Sequence, residues 1–288
     1  MPETNMVEMT MADQTAFNPA DIPVVILCGG EGTRLREATE RMPKPLVEIG
    51  SEPILLHIMR IYARQGFKNF ILCLGYRGVM IKEAFLQYEM RRRDMLVDFA
   101  KGQHSFLGEE PDMDWRITMA ETGASTQTGG RVARIAPYVK ADRFMLTYGD
   151  GVSDIDLHKA MAFHLAHGRI GTVTGVQPAS QFGVMRVEGD TVTAFAEKPK
   201  STALINGGFF IFERSFFDYL SEAEDCILER RPLERLAGDG QLKVYEHTGF
   251  WRCMDTFKDY RELNDAWAAG DMPWVPGSSP EAAGKAAR

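Results

Sequence analysis

The chain has 288 residues, 44% of them hydrophobic and 25% charged, a balance that fits a globular protein with a sizeable core and excludes a fibrous or wholly disordered one. Its net charge of −7, from 33 basic against 40 acidic residues, argues against broad nucleic-acid binding, so an anionic substrate would have to be held by a local cluster of cations. Apolar runs such as Phe70 to Leu74 are short, and none approaches the roughly 18 residues that a membrane-spanning helix needs, which predicts a cytoplasmic protein with no membrane partner.

Residues 1–21 lack the basic start and continuous apolar segment of a signal peptide and are expected to form a flexible extension. One domain is expected over residues 22–274, followed by a flexible tail over 275–288 that is rich in Gly, Ser, Ala and Pro. Cys28, Cys73, Cys226 and Cys253 have no metal-ligand spacing, so buried thiols are expected rather than disulfides or zinc.

The domain opens with Val24 to Leu27, a short apolar run that reads as a parallel strand covered on both faces. It breaks into Cys28-Gly29-Gly30-Glu31-Gly32-Thr33-Arg34, where three glycines let backbone N–H groups approach a phosphate chain and Arg34 adds a charge. In Met42-Pro43-Lys44-Pro45-Leu46, prolines on both sides restrict where the Lys44 ammonium can point. A strand, a glycine loop and two fixed cations predict a polyphosphate site. It is not a P-loop, because Gly-Lys-Ser/Thr occurs nowhere, and a dinucleotide fingerprint is weakened by Leu35 at the third glycine position.

Next, Pro53 marks a helix start, with Ile54, Leu55, Ile58, Ile61 and Tyr62 on one face and Gly66 at the end; His57 within it is expected to serve packing. Asn69 to Leu74 reads as a strand, 79–93 as a helix, and 94–115 as a segment with few structural signals, suited to subunit contact or a lid. This βαβα alternation predicts an α/β fold with a mostly parallel central sheet flanked by helices, and ligands at the carboxyl ends of the strands. After a strand at Trp115 to Ala120, the loop containing Thr126 and Arg131 could close over a base or a triphosphate, since arginine grips phosphate oxygens in a bidentate way.

The strand from Arg143 runs straight into Gly149-Asp150-Gly151, placing a carboxylate at a strand end, where a magnesium ligand would be useful. Asp154 and Asp156 are expected to start the helix over 156–167. A hairpin follows over 184–195, then Glu197-Lys198-Pro199 and Asn206-Gly207-Gly208. These read as a sugar-phosphate pocket, with Lys198 on the phosphate, Glu197 on the hydroxyls, and the glycines that follow Asn206, Gly207 and Gly208, allowing close backbone approach. Asp255, in Gly249-Phe250-Trp251-Arg252-Cys253-Met254-Asp255-Thr256, suits either a helix start or a second carboxylate on the same Mg²⁺.

Taken together, LCGGEGTRL, the Lys-Pro pair, STQTGGR, LTYGDGVSD, INGGFF and GFWRCMDT resemble the sugar nucleotidyltransferases, and the glucose-1-phosphate cytidylyltransferase family in particular, from about Pro23 to Trp274. The resemblance implies a Rossmann-like core with a small β-rich sugar-binding C-terminal part. It implies nucleotide contacts from Leu27, Cys28, Gly29, Gly30, Glu31, Gly32, Thr33, Arg34, Lys44, Thr126, Arg131 and Gly149, Mg²⁺ at Asp150 and Asp255, and catalytic roles for Arg34, Lys44, Asp150 and Asp255. It further implies CTP and glucose 1-phosphate as substrates, a homo-oligomer such as a hexamer, and a place in nucleotide-sugar supply for polysaccharide such as O-antigen. Glu31 and the long extension depart from the family pattern, and the Glu31 carboxylate must point away from the phosphates. Transfer with UTP, dTTP or another sugar 1-phosphate stays open, as does a non-catalytic nucleotide-sugar-binding protein.

Overall fold

Strand β1 (Pro23–Leu27) is buried throughout and lies inside the main sheet, as its unbroken apolar sequence requires. The computed structural model describes residues 17–32, 35, 39–40, 42–108, 113–178, 183–197 and 203–275. After β1 come a 3₁₀ turn (Lys44–Leu46), the short pair β2 (Glu48–Ile49) and β3 (Glu52–Pro53), and helix α1 (Ile54–Ala63). The apolar face expected for α1 is buried, and Gly66 takes φ +91° just beyond its end. His57 is a packing residue: its Nε2 lies 3.0 Å from the Ile49 carbonyl while Trp274 Nε1 donates to its Nδ1 at 3.3 Å. Burial lowers its pKa, which suits that neutral tautomer.

Strand β4 (Asn69–Leu74) has the expected bounds, but the single helix expected over 79–93 divides at Gln87 into α2 (Gly78–Leu86) and α3 (Tyr88–Arg92). The signal-poor stretch after it holds a hairpin, β5 (Met95–Asp98) with β6 (Gln103–Phe106). Met95, Leu96 and Val97 are consecutive and all exposed, so the two-residue alternation that marks a half-buried strand is missing. The chain continues through β7 (Arg116–Glu121), α4 (Thr128–Arg134), β8 (Arg143–Tyr148), β9 (Gly151–Ser153) and α5 (Leu157–His167). Asp156 caps α5 by accepting from Lys159 N at 2.9 Å, whereas Asp154 pairs with His247 at 3.0 Å. Then come β10 (Gly171–Val176), the hairpin β11 (Val184–Glu188) and β12 (Thr191–Ala196), β13 (Ile205–Asn206) and β14 (Phe210–Glu213). Helix α6 (Arg231–Gly238), β15 (Leu242–His247), β16 (Trp251–Cys253) and α7 (Phe257–Ala268) complete it.

The main sheet runs β13-β10-β14-β8-β1-β4-β7, with β15 also paired to β10. β8, β1, β4 and β7 are parallel; β14 enters antiparallel beside β8 and carries the sheet into its C-terminal half. Alternate residues of β1 serve the two faces: Val24 and Ile26 join the core that includes α1, while Val25 and Leu27 join the core that includes Val132 of α4. The chain steps outward from β1 to β4 and β7, then returns to β8 on the other side of β1. That reversal opens a crevice beyond the carboxyl ends of β1 and β8, the place where open α/β sheets bind ligands. Of the segment expected as a flexible extension, residues 17–21 pack on the body, with Phe17 stacked on Phe67 and Pro19–Asp21 in a 3₁₀ turn capped by Asn18, and residues 1–16 lie outside the described residues.

At the sheet's far half, His164 of α5 is fully enclosed, with Nδ1 2.8 Å from Thr172 Oγ1 and Nε2 3.1 Å from Glu213 Oε1. Burial, opposed in part by Glu213, lowers its pKa to about 4. A depressed folded-state pKa means the neutral ring is favoured by folding. Its stabilisation is therefore complete above the unfolded value near 6.5 and is lost as pH falls toward 4, by about 3 kcal/mol. Urea midpoints measured from pH 7 to 4 should show this fall, and His164→Gln should flatten it.

Candidate active site

The crevice is a cleft of about 370 Å³ whose lining includes Leu27, Cys28, Gly29, Gly30, Gly32 and Lys44 from the first part of the chain. Thr126, Arg131, Tyr148, Gly149, Asp150 and Glu229 come to it from elsewhere. Leu27 is paired in register with Tyr148, so the glycine loop and the Gly149-Asp150 turn leave neighbouring strand ends side by side. A Cβ on Gly149 would stand 2.6 Å from the Leu27 carbonyl, so this close approach requires glycine. Among the described residues no acceptor pairs with the N–H groups of Gly29, Gly30, Glu31 and Gly32, and a glycine-rich run of amides of this kind can receive an anion. Glu31, expected among the nucleotide contacts with its carboxylate turned from the phosphates, is exposed and does not line the cleft. Thr33, Arg34 and Lys198, all expected in the site, lie outside the described residues.

Lys44 reaches the cleft from the 3₁₀ turn, where the amides of Leu46 and Val47 donate to Pro43 and Lys44 carbonyls. Its Nζ donates to Asp150 Oδ2 at 2.7 Å and to Asp255 Oδ1 at 2.8 Å. Burial would lower the ammonium pKa, but the two carboxylates outweigh it and the net shift is upward, so Lys44 stays charged. Asp255 arrives through β16, which pairs antiparallel with β9 and sets Cys253 opposite Gly151; Met254 N then donates to the Asp150 carbonyl at 2.8 Å. Helix α7 does not need Asp255 as its cap. Thr256 fills that place, in a capping box with Asp259, so of the two roles open to Asp255 the helix-start role is corrected. The carboxylates of Asp150 and Asp255 and the Cys253 thiol bring ligand atoms within 4.8 Å of one another. Burial first, then those carboxylates, push the Cys253 thiol up, so it remains protonated.

Arg131 does not present its guanidinium to the cleft in the way a free phosphate grip would. It is 4% exposed and donates to the carbonyls of Leu74, Gly29, Gly123 and Ala124 and to Thr122 Oγ1, at 2.7 to 3.1 Å. The reason is local: Thr128 to Arg134 is a helix, and its first turns aim Arg131 back under the glycine loop. Gly29 and Gly75 make the space, since a Cβ at either would fall within 2.2 Å of Arg131 Nη1. A second arginine of the same helix holds Thr126, whose Oγ1 accepts from Arg134 Nη1 at 2.7 Å.

A polar chain at the cleft wall was not anticipated from sequence. Asn206 Nδ2 donates to the Tyr148 hydroxyl at 3.0 Å, Tyr148 donates to Glu229 Oε1 at 2.7 Å, and Thr128 donates to Glu229 Oε2 at 2.7 Å. Tyr148 could have been noticed as the last strand residue before Gly149, but Glu229 sits in a segment with no motif of its own. Asn206 thus joins the cleft through Tyr148. Gly207 is held by structure, its carbonyl accepting from Trp251 Nε1 at 2.8 Å, and Glu197, just after β12, does not line the cleft.

A family model described as Nucleotidyl transferase matches residues 23–269. A probable glucose-1-phosphate cytidylyltransferase of Bacillus subtilis is 45% identical over 250 residues, 87% of this chain and 98% of its own. The glucose-1-phosphate cytidylyltransferase of Salmonella typhi is 44% identical over 252 residues, 87% of this chain and 97% of its own. In fold, HddC from Yersinia pseudotuberculosis, solved in complex with GMP-PN, matches with a TM-score of 0.64 at 21% identity, over 85% of this chain and 99% of that one. The chain belongs to the nucleotidyl transferase family, on the branch of the glucose-1-phosphate cytidylyltransferases.

Proposed function

We propose that the protein transfers the cytidylyl group of CTP to glucose 1-phosphate, giving CDP-glucose and pyrophosphate. The observation that carries this reading is the cleft at the switch point, lined by Gly29, Gly30, Gly32, Lys44 and Asp150, where Lys44 draws Asp150 and Asp255 together. The choice of cytosine and glucose rests on the names of relatives at 44–45% identity.

The reaction needs no general base. A sugar phosphate, with a second pKa near ~6, is already largely dianionic at neutral pH, and its oxygen attacks the α-phosphorus as the bond to the β-phosphate oxygen breaks. The protein's work is to hold two anions in line and offset their charge. Amides from Gly29 to Gly32 cradle the triphosphate, and Lys44, with Arg34 from the same loop region, offsets charge on the α-phosphate and departing pyrophosphate. Thr126 and the Glu229 chain bound the nucleotide, and Lys198, Glu197 and Asn206 are assigned to the sugar phosphate. Two hard carboxylates, with the Lys44 ammonium already bridging them, fit a divalent cation such as Mg²⁺ better than a soft metal, which would want the thiolate. Asp150 and Asp255 would hold it, and a bound Mg²⁺ supplies Lewis-acid polarisation of the reacting phosphate.

Pyrophosphate release with Mg²⁺ and glucose 1-phosphate, tested separately with CTP, UTP, dTTP and ATP, should show a strong preference for CTP. Preference for another nucleotide would move the specificity and keep the mechanism; silence with all four, in a folded sample, would favour a binding protein. We also infer a cytoplasmic homo-oligomer. The exposed apolar residues of two hairpins support association, Phe99 at 92% and Phe195 at 64% among them, and light scattering tests it.

A further inference from the structure

A second cleft, of about 630 Å³, lies between α1, α3 and the segment entering β7. It sits at the amino end of the parallel strands, where Arg116 N donates to the Lys68 carbonyl, at the opposite edge of the sheet from the catalytic crevice. Among the described residues, Arg60, Arg64, Lys68, Arg92 and Arg93 line it together with the acidic Glu89 and Asp114, in a chain whose net charge is −7. Beneath it, the buried Glu52 holds two of these cations side by side, one carboxylate oxygen on Arg60 and the other on Arg92. Arg92 is further fixed by a 3.1 Å hydrogen bond to the Tyr88 hydroxyl. Asp114 takes Lys68 at 2.7 Å, and Glu89 takes one arm of Arg93 at 2.8 Å.

The remaining donors have no such partner. The Arg64 guanidinium has no carboxylate or carbonyl among the described residues, and the Nε of Arg93 is buried without an acceptor. Crowding like charges in a partly buried concavity is unfavourable unless a counter-charge joins them. Burial, with Arg92 and Arg64 nearby, depresses the Arg60 guanidinium accordingly. Planar guanidinium forks held in fixed positions match phosphate oxygens better than they match a single carboxylate.

We propose that this cleft is a second anion site, separate from the catalytic one, which takes a compact polyphosphate. Free pyrophosphate and the phosphate tail of a nucleotide share that chemistry. Calorimetric titration with pyrophosphate, and separately with CTP, in EDTA should show binding to the wild-type protein without any divalent cation. The catalytic cleft takes the same anions, so the source is read from the component that the variant below loses: loss of CTP binding identifies a nucleotide tail, and loss of pyrophosphate binding alone identifies the free anion. In Arg64→Ala/Lys68→Ala the affinity should fall about tenfold or more, as expected for losing charge-assisted hydrogen bonds. Pyrophosphate release from CTP and glucose 1-phosphate by the same variant should be unchanged, which separates this proposal from the catalytic reading and reports that the variant is folded. Arg64→Gln is the milder second variant. Equal affinity in wild type and variants would place the anion elsewhere and overturn the proposal. So would a wild-type protein that binds neither anion.

Discussion

Asp255→Asn is expected to lower Mg²⁺-dependent pyrophosphate release by about 10²–10³-fold, the scale on which losing one preorganised electrostatic partner at a reacting centre is felt. Stability should move little. The Asp255 side chain is 28% exposed, α7 is capped by Thr256 instead, and Lys44 keeps Asp150 at 2.7 Å after the change. Asp150→Asn should act the same way, because both carboxylates converge on one charged atom. The variants should also require more Mg²⁺ to reach half of their own maximal rate. A near-normal rate with unchanged Mg²⁺ dependence would remove both residues from the metal role.

Arg131→Met is expected to destabilise the protein by about 2–4 kcal/mol, since it takes a buried donor from several backbone acceptors at once. Two of those acceptors have substitutes: Gly29 O still accepts from Tyr76 N at 3.1 Å, and Leu74 O from Thr122 Oγ1 at 2.6 Å. The carbonyls of Gly123 and Ala124 have none recorded among the described residues, so the loop carrying Thr126 should loosen and the KM for CTP should rise. Lysine would not restore the fork that spans these carbonyls. Urea unfolding and steady-state kinetics together distinguish the two readings of this residue. Loss of stability with a raised KM fits the positioning role; unchanged stability with weakened CTP binding would return Arg131 to a direct phosphate grip.

Much of the framework was legible in the chain itself. Val24 to Leu27 and Asn69 to Leu74 read as strands because unbroken apolar runs of that length suit little else, and they are the two parallel strands at the heart of the sheet. The glycine loop, Lys44 between prolines and the Gly149-Asp150 turn were legible because each is a backbone restriction carried within a few residues, and all three line one cleft. The hairpin after α3 was not, since its exposed strands lack the burial that writes an alternating pattern.

What the tertiary structure alone decided is which side chains meet. Arg131 looked free for a ligand until the start of α4 turned it under Gly29 and Gly75, and the Glu229 carboxylate found Tyr148 and Thr128 across long sequence separations. Asp255 became available when Thr256 took the helix cap, and the pairing of β16 with β9 brought it to Asp150. Strand, turn and helix tendencies act over a handful of neighbours, so they can be read locally. Partnership between distant charged groups depends on strand order and register, and those follow from burying the whole apolar surface at once.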